Sequence, residues 1–553
     1  MKLLKRGISL AAAISMVACL FTGCGGDKEV KMNEDGTYAQ GKTAIVNYNS
    51  SGYGHEWLQE AAEAFEKLYA EEGYKIELKI TYGVQDNSTL EIGKGPAKND
   101  VDLYLTAQNL ERVLDASDKT MRGEGAVLVD LKDTVWNQPA IGLDGKEEEK
   151  TIGERFLLDS EYLFYDGVKE EFHGGLYCLP YGISSCGIIL NPKVTEQYGY
   201  GMDNLPKTTD EFNAMCAKIA ETSAQSGVYA YSWPGANASG YLSYLFFEYF
   251  AQYSGKEGFM NFVQTKPSSD ATMEDIIADG WKVYEDKGIL EGFKAMEPIM
   301  STKYSTKGSA SMTHLQAQHE VLSGKAAFVI SGDWVLNEMK DEYYDEAKDC
   351  IMLNTPILSV IGTECGITDG ELSKAVGMID EGKTDEEIMA AISGLDQAET
   401  TRIRDARNVY GCGETAVRNG AAIPAYADGR DVAILFLRFL CSEDVCQMTR
   451  DNAYKMSAFA CESYDSKGDT AFMNSVVANI NPGHGEYISM DSSLSIVRAN
   501  SGMLYFNHPN MLQPLTFKYM ILDTTGDLTA ENMYEMERDY AKDNWDIWTA
   551  YVG

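Results

Sequence analysis

Hydrophobic positions between residues 43 and 106 follow two different spacings. The segment 43–48 and the alternating run 76–82 predict two strands, and 101–106 predicts a third. Between the first two, apolar residues from about His55 recur every three or four positions, as on the buried face of an amphipathic helix. Short strands separated by a helix indicate an α/β sheet.

The same two spacings continue through the rest of the chain. Thr208 and Glu211 have the spacing of a capping box, which predicts that a helix begins there. The run 326–331 predicts a buried strand. Two apolar faces have helical spacing: Phe212, Met215, Cys216 and Ile219 in the first, and Ala433, Phe436, Leu437 and Leu440 in the second.

Residues 362–412 differ from this pattern because they are charged and rich in helix formers. We interpret the segment as an insertion that forms two short helices around Gly382. Cys365 and Cys412 bound it. A disulfide between them would close the base of the insertion, and two free thiols are the alternative.

The beginning of the chain has the pattern of an export signal. Positively charged residues come first, 7–21 is a short apolar run, and small residues precede Cys24. The run is too short to span a membrane comfortably. The pattern resembles a bacterial lipoprotein signal, in which 1–23 are removed and Cys24 carries the lipid. An ordinary secretory signal is the alternative, and the polar stretch 24–41 is expected to be a tether.

The net charge limits the classes of binding partner, and the cysteine count predicts the redox state of the thiols. Lys and Arg number 47 and Asp and Glu 84, a net charge of −37 over 553 residues. Such a surface repels nucleic acids and anionic lipids, so we expect membrane contact through the lipid anchor only. Eleven cysteines less Cys19, in the signal, and Cys24 leave nine. An odd number in an exported chain predicts reduced thiols, as a Gram-positive anaerobe would tolerate.

No catalytic signature fits its context. Two matches to the phosphate-loop pattern, at 36–43 and 377–384, fail because the first precedes a strand and the second carries Asp380 and Glu381 where phosphate would bind. The six histidines include neither a His-Glu-x-x-His nor a His-x-His pattern. We therefore predict a protein that is not an enzyme, with no cofactor and no metal.

Several segments together resemble the extracellular solute-binding lipoproteins of carbohydrate ABC importers, the group that includes maltose-binding protein. Their order and spacing span residues 43–460, although no single segment is specific. The segments are TAIVNYNSSGYGHEWLQEAAEAF, VDLYLTAQNLERVLD, GGLYCLPYGISSCGIILNPKV, PKTTDEF, GKAAFVISGDW and AAIPAYADGRDVAILFLRFLCSEDVCQ.

The resemblance implies a two-lobed α/β fold of the type II periplasmic-binding-protein class, each lobe discontinuous, with the ligand in the cleft between them. Closure on the ligand would create the form that the permease recognises. Chain crossings are expected at 177–181, at 353–356 and after 436–440. Lobe 1 would comprise 42–180 and 356–438, with the insertion 362–412, and lobe 2 would comprise 181–355 and 439–553.

Aromatic rings are the first candidates for contact with a sugar, because sugars have apolar ring faces. Trp334 stands in SGDW, where the family presents a stacking aromatic. Trp233 stands in YSWPGANAS, and Tyr181 ends the first hinge strand. Packing in the core or hinge is the alternative for each ring.

Short polar side chains are the second set of candidates, because sugars also carry rims of hydroxyl groups. Asp333 would accept hydrogen bonds from the ligand or cap the following helix, and Asn109 has the same two alternatives. The full polar set is Ser50, Ser51 and Tyr53 in the loop after the first strand, Gln108 and Asn109 after the third, and Asp333.

The sequence thus predicts a monomeric, lipid-anchored binding protein on the outer face of the cell membrane that delivers an oligosaccharide to ABC permease subunits. The same fold with a peptide or polyol as ligand is one alternative. A surface carbohydrate-active enzyme and an adhesin without a transport partner are the others.

Overall fold

The fold is described from a computed structural model. The described residues are 32–33 and 38–550, except 51, 83–86, 107–109, 122–124, 158–159, 161–162, 166–168, 237–240, 414–419, 463–468, 481–485, 490–494, 502–504 and 509–527. The predicted signal, the predicted lipid attachment site Cys24 and most of the predicted tether lie outside these ranges.

Fifteen strands are found in the described ranges. They are β1 Thr43–Asn49, β2 Lys75–Thr81, β3 Leu103–Tyr104, β4 Pro139–Ile141, β5 Glu147–Thr151, β6 Leu179–Pro180, β7 Gly182–Ile183, β8 Cys186–Leu190, β9 Tyr229–Ser232, β10 Ala326–Gly332, β11 Ile351–Leu353, β12 Val409–Gly413, β13 Gly420–Ala421, β14 Met456–Ser457 and β15 Glu486–Ser489.

The α-helices of the described ranges are α1 Glu56–Leu68, α2 Ser88–Gly93, α3 Glu111–Asp115, α4 Ser117–Thr120, α5 Pro192–Gln197, α6 Thr209–Ala220, α7 Ser223–Ser226, α8 Leu242–Gln264, α9 Met273–Asp279, α10 Lys287–Ile299, α11 His314–Leu322, α12 Val335–Glu338, α13 Lys340–Ala347, α14 Ser359–Glu364, α15 Asp369–Asp380, α16 Asp385–Ala391, α17 Gln397–Asn408, α18 Arg430–Leu440, α19 Glu443–Ala453, α20 Ala471–Ile480, α21 Ile496–Ser501 and α22 Ala530–Thr549. None of these helices combines the length and apolar character needed to traverse a bilayer.

Lobe 1 is built on a parallel sheet with the strand order β2-β1-β3. The helix predicted from about His55 is α1, and it buries Trp57, Leu58 and Phe65 of the predicted apolar face. The late helix α18 packs on β1 and α1, and α19 packs on α1. The α/β alternation that the sequence predicted for this region is confirmed.

Lobe 2 is built on a mixed sheet with the strand order β15-β12-β8-β10-β9, and β11 also pairs with β8. β10 is the predicted apolar strand, and all seven of its residues are buried. The helix predicted at Thr208 is α6, and Thr208 Oγ1 accepts a hydrogen bond from the Glu211 N–H at 3.2 Å. Glu211 accepts from the N–H of Lys207 rather than from that of Thr208.

Two short antiparallel strand pairs join the lobes. Residues 179–180 (β6) pair with β13, and 182–183 (β7) pair with β14. Tyr181 lies between the two pairs. From these pairs the chain continues into β8, which pairs with β10 in the sheet of lobe 2, and the crossing expected at 177–181 stays a prediction.

The other two crossings differ from the expectation. The chain stays with lobe 2 beyond 353–356, because β12 pairs with β8 and the return comes only at β13. The chain stays with lobe 1 beyond 436–440, because β14 pairs with β7 and the Ala460 N–H donates to the Arg155 carbonyl. It rejoins lobe 2 at α20, where Ser475 Oγ accepts from the Met352 N–H at 2.8 Å.

The segment 362–412 belongs with lobe 2, not with lobe 1 as expected. It contains three helices, α15 to α17, rather than two, and each begins with a capping box. The Arg407 guanidinium donates to both carboxylate oxygens of Asp380 and to the Thr355 carbonyl. The segment has amphipathic helices of its own, but its composition carries no signal for the sheet edge that it joins.

Five buried cysteines are free thiols: Cys216, Cys350, Cys365, Cys441 and Cys446. Cys365 is among them, and its Sγ is 4.0 Å from the Glu399 carbonyl oxygen. Because Cys365 is a free thiol, the disulfide considered between Cys365 and Cys412 is absent, and the prediction of reduced thiols is confirmed for these five cysteines. Burial raises the pKa of Cys446 to about 12, which keeps this thiol protonated.

The C-terminal region completes lobe 2. Helix α22 packs on α10 and on the 3-10 helix Gly280–Glu285. The Trp545 indole N–H donates to the carbonyls of Ile276 and Ile277, each at 3.0 Å. The Glu537 carboxylate, which is buried, accepts from the backbone N–H groups of Asn507 and His508. The extension thus covers a surface of lobe 2 that α10 would otherwise expose.

We expect Trp545→Ala to lower the free energy of unfolding by about 3–5 kcal/mol, because a buried indole and its hydrogen bond are both lost. Urea denaturation followed by circular dichroism would measure the change. Ile547→Ala is the control, because Ile547 is exposed on the same helix and its truncation should change stability by less than about 0.5 kcal/mol. Equal effects of the two substitutions would show that α22 does not stabilise the lobe.

Candidate functional site

Two loops that follow strands meet between the lobes. In lobe 1 the loop after β1 turns through Gly52 and Gly54, which have φ angles of +81° and +68°. In lobe 2 the chain leaves β10 through Asp333 and Trp334 and enters α12. Both loops lie at the carboxyl ends of their strands, which is where α/β folds bind ligands.

A hydrogen bond from Tyr53 to Asp333 joins the two loops. The Tyr53 hydroxyl donates to Asp333 Oδ1 at 2.5 Å, and both side chains are buried. Asp333 does not cap α12, since the helix has no side-chain cap at that end. The sequence alternative that made Asp333 a helix cap is therefore wrong.

Trp334 lies between the backbones of two glycines, one from each lobe. A Cβ atom on Gly52 would lie 3.0 Å from Trp334 Cβ, and a Cβ on Gly332 would overlap the indole ring. The rings of Tyr53 and Tyr241 approach it edge-on, with centroids 6.1 and 5.9 Å away. Separation of the lobes would uncover the side of Trp334 that Gly52 now covers.

Lys455 occupies the hinge side of the same cluster. Its ammonium is 4.5 Å from the ring centroid of Tyr181, 5.0 Å from that of Tyr53 and 5.8 Å from that of Trp57. A Cβ on Gly182 would lie 2.5 Å from Lys455 Cε, so the side chain packs directly on the backbone of β7. Such cation–π contacts partly replace the water that the ammonium has lost.

Burial changes the proton affinity of both charged groups. It raises the pKa of the Asp333 carboxyl to about 7, although the Tyr53 hydrogen bond and the Lys455 charge act in the opposite direction. It lowers the pKa of the Lys455 ammonium to about 7, opposed by the Asp333 charge. The cleft therefore disfavours each charge by several kcal/mol.

Three buried polar atoms in this cluster have no hydrogen-bond partner among the described residues. They are Asp333 Oδ2, Tyr181 Oη and Asn337 Oδ1. The other end of the Asn337 amide joins the lobes, because Nδ2 donates to the Gly52 carbonyl at 2.7 Å. Buried polar groups are nearly always hydrogen-bonded, so three such atoms in one place indicate a site for a polar ligand.

The sequence-predicted residues fall into three groups. Tyr53, Tyr181, Asp333 and Trp334 come together between the lobes, and Ser50 is buried in the same loop. Trp233 is completely buried at the end of β9, where a Cβ on Gly235 would lie 2.7 Å from Trp233 Cζ3. Ser51, Gln108 and Asn109 lie outside the described residues.

Sequence reasoning missed Lys455 and Asn337. Lys455 directly precedes a two-residue strand, and nothing around it in the chain indicates that its side chain enters a ring cluster. Asn337 lies three residues beyond Trp334, on the first turn of α12. The short helix was not predicted, so Asn337 was not placed beside the cleft.

A cavity of about 270 Å³ lies in lobe 2, beside Arg407 and Asp380. A wider depression of about 560 Å³ adjoins it on α15. Neither is lined by a predicted site residue.

We expect Asn337→Ala to favour separation of the lobes, because it removes the hydrogen bond from Nδ2 to Gly52. A net contribution of about 1 kcal/mol would raise the ratio of open to closed molecules about fivefold. Small-angle X-ray scattering of the ligand-free protein would show a larger radius of gyration. Asn204→Ala is the control, because Asn204 Nδ2 makes a bond of equal length, 2.7 Å, to Gly199 within lobe 2. Identical scattering of both variants would contradict the expectation.

Solved structures with this fold are numerous. A chitin oligosaccharide binding protein aligns with a TM-score of 0.56 and 12% identity, over 91% of this chain and 100% of that chain. A protein from work on xylan utilization by Caldanaerobius polysaccharolyticus aligns with 0.54 and 12%, over 90% and 99%. The solute-binding protein RafE in complex with raffinose aligns with 0.50 and 14%, over 90% and 99%. At these identities the likeness shows the two-lobed fold.

Among curated proteins none matches this sequence. The family model of the bacterial extracellular solute-binding proteins matches residues 49–445, which is more than two thirds of the chain. The matched part includes β2 to β13 and the loops that carry Tyr53, Asp333 and Trp334. The chain belongs to the family of bacterial extracellular solute-binding proteins.

Proposed function

We propose that the protein is the lipid-anchored substrate-binding component of an ABC importer, that it captures an oligosaccharide between its lobes, and that it delivers the sugar to the permease. It performs no chemistry on the ligand. The cluster of Tyr53, Tyr181, Asp333 and Trp334 between the lobes is the observation that carries this proposal. Three of the similar structures, named above for chitin oligosaccharide, xylan and raffinose, support a sugar as the ligand.

The chemistry of the cluster suits a sugar. Trp334 and the tyrosines offer ring surface for the apolar faces of a pyranose. Asp333 Oδ2 and the Tyr181 hydroxyl offer an acceptor and a donor, and neither has a hydrogen-bond partner among the described residues. A peptide or a polyol would use the polar atoms, but a polyol has no ring face for Trp334 to contact.

Capture would couple to closure through the two strand pairs of the hinge. A ligand that contacts Trp334 on lobe 2 and the loop of Tyr53 on lobe 1 gains more free energy from the closed form than from the open one. That difference shifts the population towards closure. The lobes would then present one continuous surface to the permease only when a ligand is bound.

We expect the chain from Gly25 onward to bind a neutral oligosaccharide one-to-one with micromolar or tighter affinity in calorimetric titrations. The panel is maltotriose, cellotriose, xylotriose, raffinose and tri-N-acetylchitotriose. Trp334→Ala should weaken binding at least tenfold, because the indole surface facing the ligand is lost. Trp281→Ala is the control, because that indole contacts Lys542 in the C-terminal region of lobe 2.

If the folded protein binds none of these sugars, the sugar proposal is contradicted, and peptides should be tested next. Shortened products after incubation with the same glycans would instead reveal an enzyme. Equal affinity of wild type and Trp334→Ala would remove the indole from the site while leaving sugar binding intact.

The lipid anchor has its own test. Cys24→Ser should abolish incorporation of labelled palmitate and shift the protein from the membrane fraction to the medium, because a serine cannot form the thioether. Cys178→Ser is the matched control, since Cys178 lies inside the folded region. Retention of Cys24→Ser in the membrane fraction would contradict the anchor.

A further inference from the structure

The Lys455 ammonium is buried in the aromatic cluster between the lobes, where a charged group is unusual. Its side chain is 1% exposed, its ammonium lies over the rings of three aromatic side chains, and no hydrogen bond joins Nζ to an acceptor among the described residues. Burial of an ammonium without acceptors is unfavourable, so a protein would retain it only if something else supplies them.

Asp333 is complementary to Lys455, because it has an acceptor atom that no donor among the described residues satisfies. Its Oδ1 accepts a hydrogen bond from the Tyr53 hydroxyl, and its Oδ2 is completely buried with no donor in the part of the chain that the structure describes. Tyr53 connects the two groups, because its ring faces the Lys455 ammonium and its hydroxyl contacts Asp333. Unused donors and an unused acceptor therefore lie on either side of one tyrosine.

We propose that Lys455 and Asp333 form the hydrogen-bonding end of the cleft at the hinge, where the Lys455 ammonium donates to, and Asp333 Oδ2 accepts from, hydroxyl groups of an uncharged sugar. This assignment rests on the proposed function and adds the charge class of the ligand. A hydroxyl group suits both residues, because it accepts from an ammonium and donates to a carboxylate.

The charges of the pair exclude an acidic sugar. Lys455 and Asp333 together carry no net charge when both are ionised. A ligand carboxylate placed beside them would bring a second buried anion against a single ammonium, and like charges at close range oppose each other strongly. An uncharged sugar satisfies both groups without that penalty.

Binding should depend on pH with a maximum near neutrality. In the free protein the pKa of Asp333 is raised to about 7 and that of Lys455 lowered to about 7, both by burial. The sugar binds the form in which both are charged. That form is lost as pH falls, because Asp333 takes up a proton, and lost as pH rises, because Lys455 gives one up.

Four other titratable groups near the pair stay in one state over this range. Burial holds the pKa values of Tyr53 and Tyr181 well above 10. Burial also raises the pKa of Tyr48, which lies behind Trp57. On α1, Glu56 has a lowered pKa because backbone N–H groups and the charge of Lys340 favour its ionised form. These groups therefore add no limb to the profile between pH 5.5 and 8.5.

The experiment is calorimetric titration of the chain from Gly25 onward with the neutral panel named above and with trigalacturonate, at pH 5.5, 7 and 8.5. We expect Lys455→Met and Asp333→Asn each to weaken neutral-sugar binding about 10- to 100-fold at pH 7, since each removes a hydrogen bond to a charged group. Asp333→Asn should also lose the acid limb of the profile, and Lys455→Met the alkaline limb.

Proton exchange gives a second measurement that a purely structural role would not change. In buffers of different ionisation enthalpy, wild type should release a proton on binding at pH 5.5 and take one up at pH 8.5. The exposed ion pair of Lys348 and Asp345, with an Nζ to Oδ1 distance of 2.6 Å, supplies matched controls. Lys348→Met and Asp345→Asn should bind like wild type.

The outcomes separate this inference from the proposed function. Binding of a neutral sugar that Asp333→Asn and Lys455→Met leave unchanged overturns the inference alone. Binding of trigalacturonate in preference to the neutral panel also overturns it, while a sugar ligand stands. No binding of any sugar overturns both. If Lys455→Met does not fold, Asp333→Asn decides the matter, because the amide has nearly the shape of the carboxylate.

Discussion

The hydrogen bond from Tyr53 to Asp333 spans two lobes that fold on separate sheets, and no water separates the two side chains. Around it the protein has buried a carboxylate, an ammonium and an amide, and the atoms Asp333 Oδ2 and Asn337 Oδ1 have no hydrogen-bond partner among the described residues. A core that only stabilised the fold would fill this space with apolar residues, which is often the more stable arrangement. We therefore interpret these polar atoms as ligand-binding groups, which the surrounding side chains hold in position.

The rest of the molecule supports this cluster from both sides. Gly52, Gly182 and Gly332 leave out side chains where Trp334 and Lys455 need the space. The two short strand pairs at the hinge fix Tyr181 and Lys455 next to each other in space, although they are far apart in the chain. Helix α22 and the segment 362–412 both strengthen lobe 2, so the lobe that carries Asp333 and Trp334 is the larger and more extensively braced of the two.

Part of this arrangement was predictable from local pattern. The buried strands, the helix face of Trp57, Leu58 and Phe65, and the exit of Trp334 from an apolar strand all follow from residue spacing, because burial on one face imposes a period on the sequence. The lobe boundaries after residue 353 could not be predicted from residue spacing. A crossing depends on which sheet edge accepts the next strand, and the two residues of β13 or β14 carry too little information to specify it.

The sequence by itself determined the alternation of strands and helices and the family to which the chain is similar. It also determined that no recognised catalytic motif is present, and it indicated four of the residues that lie together between the lobes. Only the tertiary structure decided that Lys455 joins them, that 362–412 braces lobe 2, and that Trp233 is buried at the end of β9. The physical reason is that periodicity records whether a side chain is buried, whereas the identity of its neighbours depends on contacts between residues hundreds of positions apart, such as Tyr53 with Asp333.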